Sequence, residues 1–322
     1  MPLSLGIDIA KKKFDAALLK EDDKFKTKVF ENSPKGFVAL SDWLNQHGAD
    51  KVHVCMEATG NLYEGLAVFL ADAGHAVSVV NPFQIKSFGE SLLSRTKTDK
   101  ADARLIARFC EAIVPKLWIP DPPEIRQLKA LGRQREALIE MRTQELNRVH
   151  SAESRVQESI QFIVGVLNKE IDDIAKQIKE HINNHPDLKK KSDLLRSIPG
   201  IGDVCIEAVL SETNGFANFN KVEQVIAYMG LSPKEKSSGS SVRGKSYLCK
   251  TGNRRLRKVL YMPALVAMQH NPMVKAFSKR LKEKAKNGKL IACACMKKLV
   301  QIMFGVLKNN QPFDPAYITN FT

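Results

Sequence analysis

The order of apolar segments in the first eighty residues constrains the fold more than any other feature of the chain. Leu3 to Asp8 alternates apolar with small or polar residues, as a strand does, and ends in a carboxylate. Phe14 to Leu19 and Lys26 to Phe30 read as two more strands, separated by the charged turn Lys20 to Lys24. Ser33-Pro34 places a capping hydroxyl before a proline at the first helical position, which predicts a helix through Trp43 and Leu44 that stops near Gly48. Val52 to Met56 is a short β-branched strand running directly into Glu57-Ala58-Thr59-Gly60. A helix over Leu62 to Ala73 and a strand over Ala76 to Val80 follow. Strands first, then alternating helices and strands, predict a mixed α/β domain to about residue 115. Asp8 and Glu57 fall at or just beyond the ends of apolar strands, where a sheet presents side chains to a crevice.

The stretch Thr96 to Phe109, TKTDKADARLIARF, adds two more acids. Asp99 and Asp102 lie three apart just inside a helix start, so both carboxylates project from one face. Ala101, Leu105, Ile106 and Phe109 recur at helical spacing and are expected to bury the opposite stripe, with Thr96 or Thr98 as the cap. A lone acidic pair at a helix N-terminus ordinarily just complements the helix dipole. Four carboxylates drawn together from two strand ends and a helix would repel one another strongly enough to need divalent cations. Hard oxygen ligands select magnesium or manganese, and a pair of such ions can clamp the attacking and leaving oxygens of a phosphodiester.

Beyond the proline-rich stretch Pro115 to Pro123, residues 124 to about 181 read as two long helices. Leu128, Leu131, Leu138, Ile139 and Leu146 stripe the first; Ile160, Ile163, Leu167, Ile171, Ile174 and Ile178 stripe the second. Such stripes suit a helical hairpin or an intermolecular coiled coil. Composition changes at Leu188. Within Ser197 to Leu210, Gly200 and Gly202 form a tight turn before a helix, a pattern resembling the helix-hairpin-helix element, whose amides hold a backbone phosphate. Glycines before a helix are also ordinary turn chemistry. A Ser/Gly/Lys loop follows Leu231 and leads through Arg243 and Lys245 into a basic helix. There Leu256, Leu260 and Leu265 are expected to pack, with Arg254, Arg255, Arg257 and Lys258 facing outward. Such cations suit a phosphate held beside a serine.

Charge supports that division. The chain of 322 residues carries a net +15, and residues 186–322 hold 24 Lys+Arg against 9 Asp+Glu, while residues 1–185 hold 26 against 26. The whole excess sits in the C-terminal part, which points to a polyanion, nucleic acid before a membrane surface. Leu290 to Leu307 is interrupted by Lys297 and Lys298, which argues against a transmembrane helix, and no signal peptide opens the chain; a cytoplasmic location without membrane contact is expected. The six cysteines show no C-x-x-C spacing and read as reduced structural thiols rather than zinc ligands.

The segments GIDIAKKKFD, CMEATG, TKTDKADAR, SIPGIG and SSGSSVRG, in this order and over nearly the whole chain, resemble the DEDD transposases, the class of the Piv and MooV DNA invertases. Insertion-sequence members of that class are bridge-RNA-guided recombinases. The resemblance implies a RuvC-like, ribonuclease-H-type domain over 1–115, a helical coiled-coil connection over 116–187 and a mainly helical transposase domain over 188–322. It places a metal-binding tetrad on Asp8, Glu57, Asp99 and Asp102, and a nucleophilic serine on Ser238. It further implies magnesium or manganese, donor and target DNA, a structured bridge RNA, and assembly into a homodimer or homotetramer. Gly200, Gly202, Arg243, Lys245, Arg254 and Arg255 are the phosphate-contact candidates. Two other readings stand beside this one: a metal-dependent junction nuclease in which Ser238 is only a loop residue, and a non-catalytic nucleic-acid-binding protein whose acids are structural.

Overall fold

The computed structural model describes residues 3–58, 60, 62–92, 98–234, 237–238, 242–243, 247–249 and 251–316. The chain divides into two compact units, Met1–Pro120 and Asp121–Thr322.

The first unit is built on five strands: β1 (Leu3–Ile9), β2 (Lys13–Leu19), β3 (Phe25–Glu31), β4 (Val52–Glu57) and β5 (Ala76–Val80), in the order β3-β2-β1-β4-β5. The first three are antiparallel neighbours, whereas β4 runs parallel to both β1 and β5. One face packs Leu5, Ile7, Phe14, Leu18, Val54 and Met56 against α1 (Pro34–Gln46) and α2 (Glu64–Asp72), which contribute Leu40, Leu44, Leu66 and Leu70. On the other face, Cys55 and Val80 pack against α3 (Pro82–Ser91) and α4 (Asp99–Ile113). The caps form as the sequence predicts at α1, where the Ser33 hydroxyl accepts from Gly36 N, and at α4, where Thr98 Oγ1 accepts from Ala101 N at 3.2 Å; Thr96 lies outside the described residues.

The buried stripe of α4 differs from the expected one. Ala103, Ile106, Ala107, Phe109 and Cys110 are buried, while Ala101 and Leu105 are only partly covered. The reason is how closely the helix crosses β1: a Cβ on Gly6 would lie 2.1 Å from the Ala103 carbonyl oxygen and 2.3 Å from Ala107 N. Small residues must therefore form the contact. Asp99, Ala103, Ile106 and Cys110, spaced i, i+4, i+7 and i+11, share one side of the helix, so the acidic turn continues the buried stripe instead of opposing it. Gly6→Ala is expected to lower stability by about 2–3 kcal/mol, at the upper end of overpacking costs, because the obstructing atoms are backbone. Thermal unfolding of the variant checks this.

The second unit begins with two long helices, α5 (Pro123–Val149) and α6 (Ser154–Asn184), followed by α7 (Pro186–Arg196), α8 (Asp203–Thr213) and α9 (Val222–Tyr228). Four two-residue strands come next: β6 (Pro233–Lys234), β7 (Ser237–Ser238), β8 (Val242–Arg243) and β9 (Tyr247–Leu248). Then come α10 (Arg254–His270), α11 (Pro272–Glu283) and α12 (Gly288–Asn309). Ile125 and Leu128 of α5 and Ile174 and Ile178 of α6 join Leu210, Leu256, Leu260 and Leu299 in one core, so the long helices and the later ones are built together. Toward the α5–α6 connection the stripes emerge: Leu146, Ile163 and Val166 are exposed, and Phe162 is 73% exposed. By length and composition α12 could cross a membrane, Lys297 and Lys298 notwithstanding. Its Ile291, Cys295, Leu299, Val300 and Met303 are instead buried in this core.

Candidate active site

The acids come together because of strand direction and side-chain alternation. β1 and β4 are parallel neighbours, with Ile7 paired to Met56, so Asp8 and Glu57 both stand at the C-terminal edge of the sheet. Side chains alternate along a strand. Asp8 therefore shares the face of Gly6, and Glu57 the face of Cys55, both turned toward α4 and its first-turn acids. Burial pushes the Asp8 carboxyl up to about 6, and the nearby negative charges of Asp102, Asp99 and Asp15 push the same way. Burial also raises Glu57, followed by the charges of Asp8 and Asp102. Asp8, Glu57 and Asp102 are thus near enough to feel one another's negative charge.

Asp99 is held differently. Its side chain, 60% exposed, lies 2.8 Å from Lys13 Nζ, and this hydrogen bond holds its carboxyl below the usual range. Lys13 also reaches Asp15 at 3.4 Å. Sequence reasoning singles out neither residue for the site, although the hairpin pairs Asp8 directly with Asp15, which equal counting back from the Lys11-Lys12 turn shows. Among the described residues, no three His, Cys, Asp or Glu side chains are gathered closely enough to hold a metal ion. The donor chemistry fits one: carboxylate oxygens, two of them on groups raised by burial and by neighbouring negative charge, are the ligands that hard divalent cations prefer.

In the second unit, β7 pairs antiparallel with β8, Ser237 opposite Arg243 and Ser238 opposite Val242, so the backbones of Ser238 and Arg243 lie in one short ribbon. Lys245 lies outside the described residues, as do residues 239–241. The segment is rooted at both ends. Cys249 N donates to Ser232 O at 2.9 Å and Asn253 N to Tyr228 O at 2.7 Å. Asn253 also caps α10, accepting from Leu256 N, and gives its amide to Glu212 at 2.8 Å. Arg257 donates to the Met229 carbonyl at 2.9 Å.

The family described as Transposase matches residues 5–153, and the Transposase IS116/IS110/IS902 family matches residues 192–279. The chain is 34% identical over 313 residues to the pilin gene-inverting protein of Moraxella bovis, covering 96% of this chain and 97% of that one. The chain belongs to the IS110 family of transposases. A transposase for insertion sequence element IS1328 of Yersinia enterocolitica is 25% identical over 289 residues, covering 77% of this chain and 82% of its own length. This transposase is accordingly an enzyme of the transposase and DNA-invertase family, acting on DNA.

For the remaining candidates the transposase departs from the outward-facing pattern. Arg254 is exposed, but Arg255 turns inward and is 13% exposed. Its guanidinium donates to Glu207 at 3.0 and 3.1 Å, to Glu136 at 2.9 Å, and to Glu212 and Ser211 at 3.3 Å each. Five donors so committed leave none for a phosphate. Gly132 makes room for this knot, since a Cβ there would lie 1.9 Å from Glu207 Oε1. Lys258 pairs with Glu136 and Glu140 at 3.0 and 3.1 Å. Gly200, at φ +99°, is required by packing: a Cβ would meet Ala267 N of α10 at 2.8 Å. Gly202 caps α8 with open space around its Cβ position, but the first helical residue is Asp203, paired with Arg196.

Proposed function

We propose that the protein is an insertion-sequence recombinase that cuts and rejoins donor and target DNA through a covalent bond between Ser238 and a DNA phosphate. The observation that carries this reading is the placement of Asp8 and Glu57 at the C-terminal edge of one sheet, facing the first turn of α4, where Asp8 feels the charges of Asp102 and Asp99 and Glu57 those of Asp8 and Asp102. Three antiparallel strands followed by two parallel ones support a RuvC-like, ribonuclease-H-type domain. The four acids would hold magnesium or manganese, and the ion would supply positive charge to the phosphate under attack. Without it these carboxylates would repel the DNA backbone, so their role is to hold that charge in place and to orient it toward the sheet edge.

The Ser238 hydroxyl then forms the oxygen–phosphorus bond as the phosphate's bond to one deoxyribose oxygen breaks. The serine proton ends on that departing oxygen. Attack by another strand's hydroxyl reverses the exchange, returning the proton to the serine. One phosphoester bond is conserved throughout, so rejoining needs no ATP. Arg243, Lys245, Arg254 and the Gly202 turn are the phosphate contacts in this reading, whereas Arg255 and Gly200 serve the fold. A structured bridge RNA specifies the sites by base pairing, leaving the protein to read shape and phosphates. The exposed Leu146, Phe162, Ile163 and Val166 support assembly into a dimer or tetramer.

Purified protein, magnesium and the RNA transcribed from the element's flanks are expected to recombine two plasmids carrying donor and target sites, and Ser238→Ala is expected to abolish both cutting and joining. A Ser238→Ala protein that cuts DNA with full activity would replace this reading with a metal-dependent nuclease.

A further inference from the structure

Residues 272–289, covering α11 and the start of α12, carry seven cations, Lys275, Lys279, Arg280, Lys282, Lys284, Lys286 and Lys289, against the single carboxylate Glu283. This short segment supplies +6 of the chain's net +15. All seven are exposed. None forms an ion pair among the described residues, unlike Arg148, Lys176, Arg255 and Lys258 elsewhere in the same unit.

The geometry points to a contact surface for the sugar-phosphate backbone of duplex DNA, centred on Lys275, Lys279 and Lys282. This inference rests on the reading that the protein acts on DNA, and it names a surface to which none of the motifs above was assigned. The three lysines are spaced i, i+4 and i+7, so they form one stripe along α11. At about 1.5 Å of rise per residue the stripe is roughly 10 Å long. A duplex presents one phosphate per about 3.4 Å of axis on each strand, so the stripe is commensurate with two or three neighbouring phosphates. Arg280, Lys284, Lys286 and Lys289 extend the positive field beyond it.

The opposite face of α11 explains why the surface is not a membrane anchor. Val274 and Ser278 are buried, and Met273, Phe277 and Leu281 pack on the core of the unit. A helix that lies in a lipid interface must keep its bulky apolar residues free for insertion. Here they are committed, and what remains outside is charge on flexible stems.

The test is equilibrium binding of the full-length protein to a fluorescent duplex of arbitrary sequence, between about 50 and 200 mM salt, the range in which counterion release is read. Lys275→Gln/Lys279→Gln/Lys282→Gln is compared with wild type and with Lys169→Gln/Lys176→Gln/Lys179→Gln, an equal change of charge on α6. The α11 triple is expected to reduce the magnitude of the slope of log affinity against log salt by about 2–3, equally for unrelated sequences, while melting like wild type. The α6 triple is expected to keep the wild-type slope. An unchanged slope in the α11 triple, an equal loss in the α6 triple, or loss of RNA binding with duplex binding retained would each overturn the assignment. Failure of the wild-type protein to bind duplex at all would overturn the DNA reading itself and the surface with it.

Discussion

Arg255→Ala is expected to cost about 3–5 kcal/mol, the range found when one member of a buried ion network is removed. The guanidinium is the main cation facing Glu207 and Glu212, whose side chains are both almost fully buried. Arg133, 3.5 Å from Glu212, the Asn253 amide, 2.8 Å from Glu212, and the Ser211 hydroxyl, 3.2 Å from Glu207, remain nearby, with the charge of Arg135 also acting on Glu207. Removing the cation leaves two carboxylates in the core without their main ion-pair partner. Burial already raises Glu207 above the usual carboxylate range even with Arg255 present. In the variant, protonating Glu207 relieves part of the penalty, so the loss of stability relative to wild type shrinks as the pH falls. Arg255→Lys restores a charge but cannot span Glu136, Glu207 and Glu212 at once, and recovers only part of the loss. Urea unfolding of the three proteins at two pH values checks both the size and the sign. An Arg255 that served a bound phosphate would instead leave stability unchanged and weaken DNA binding.

Asp8→Asn is expected to remove strand exchange by several orders of magnitude while making the metal-free protein more stable at neutral pH. The two effects share one cause. The folded state raises Asp8 to about 6, through burial and the charges of Asp102, Asp99 and Asp15, so the ionised carboxylate opposes folding. A group with a raised folded value contributes most favourably below its unfolded value near 4, and that contribution is lost as the pH rises through about 6. The neutral amide removes this opposition at every pH. Thermal unfolding in a chelator is therefore expected to show Asp8→Asn melting above wild type at pH 7, with the gap closing toward pH 4. Equal melting at both pH values would mean that Asp8 is neither buried nor crowded by the other acids.

Much of this site is legible in the order of residues. Asp8 and Glu57 near their strand ends, the Ser33 cap, a threonine cap on α4, which the structure assigns to Thr98, and the acidic first turn of α4 all follow from local chemistry. What periodicity missed depends on contacts distant in sequence. Nothing near Gly6 announces that α4 will cross it at backbone distance, so periodicity puts Ala101 and Leu105 in the buried stripe with Ile106 and Phe109, whereas Ala103 and Ala107 line the crossing and Leu105 packs only partly buried. Arg255 reads as one cation among four, because its partners Glu136, Glu207 and Glu212 come from other helices 43 to 119 residues away. The α3 helix is a different case: Asn81-Pro82 carries the same cap-and-proline signature as Ser33-Pro34, and Asn81 does accept from Phe83 N.

The central claim is that a carboxylate cluster and a serine act together on one phosphate. Its most direct measurement is mass-spectrometric mapping of a denaturation-resistant protein–DNA adduct, formed with magnesium, DNA and the RNA, in wild type and in Asp8→Asn. A nucleotide attached to Ser238 is expected in wild type, and no adduct in Asp8→Asn or after chelation. Adduct on another residue, or an undiminished Ser238 adduct in Asp8→Asn, would contradict it.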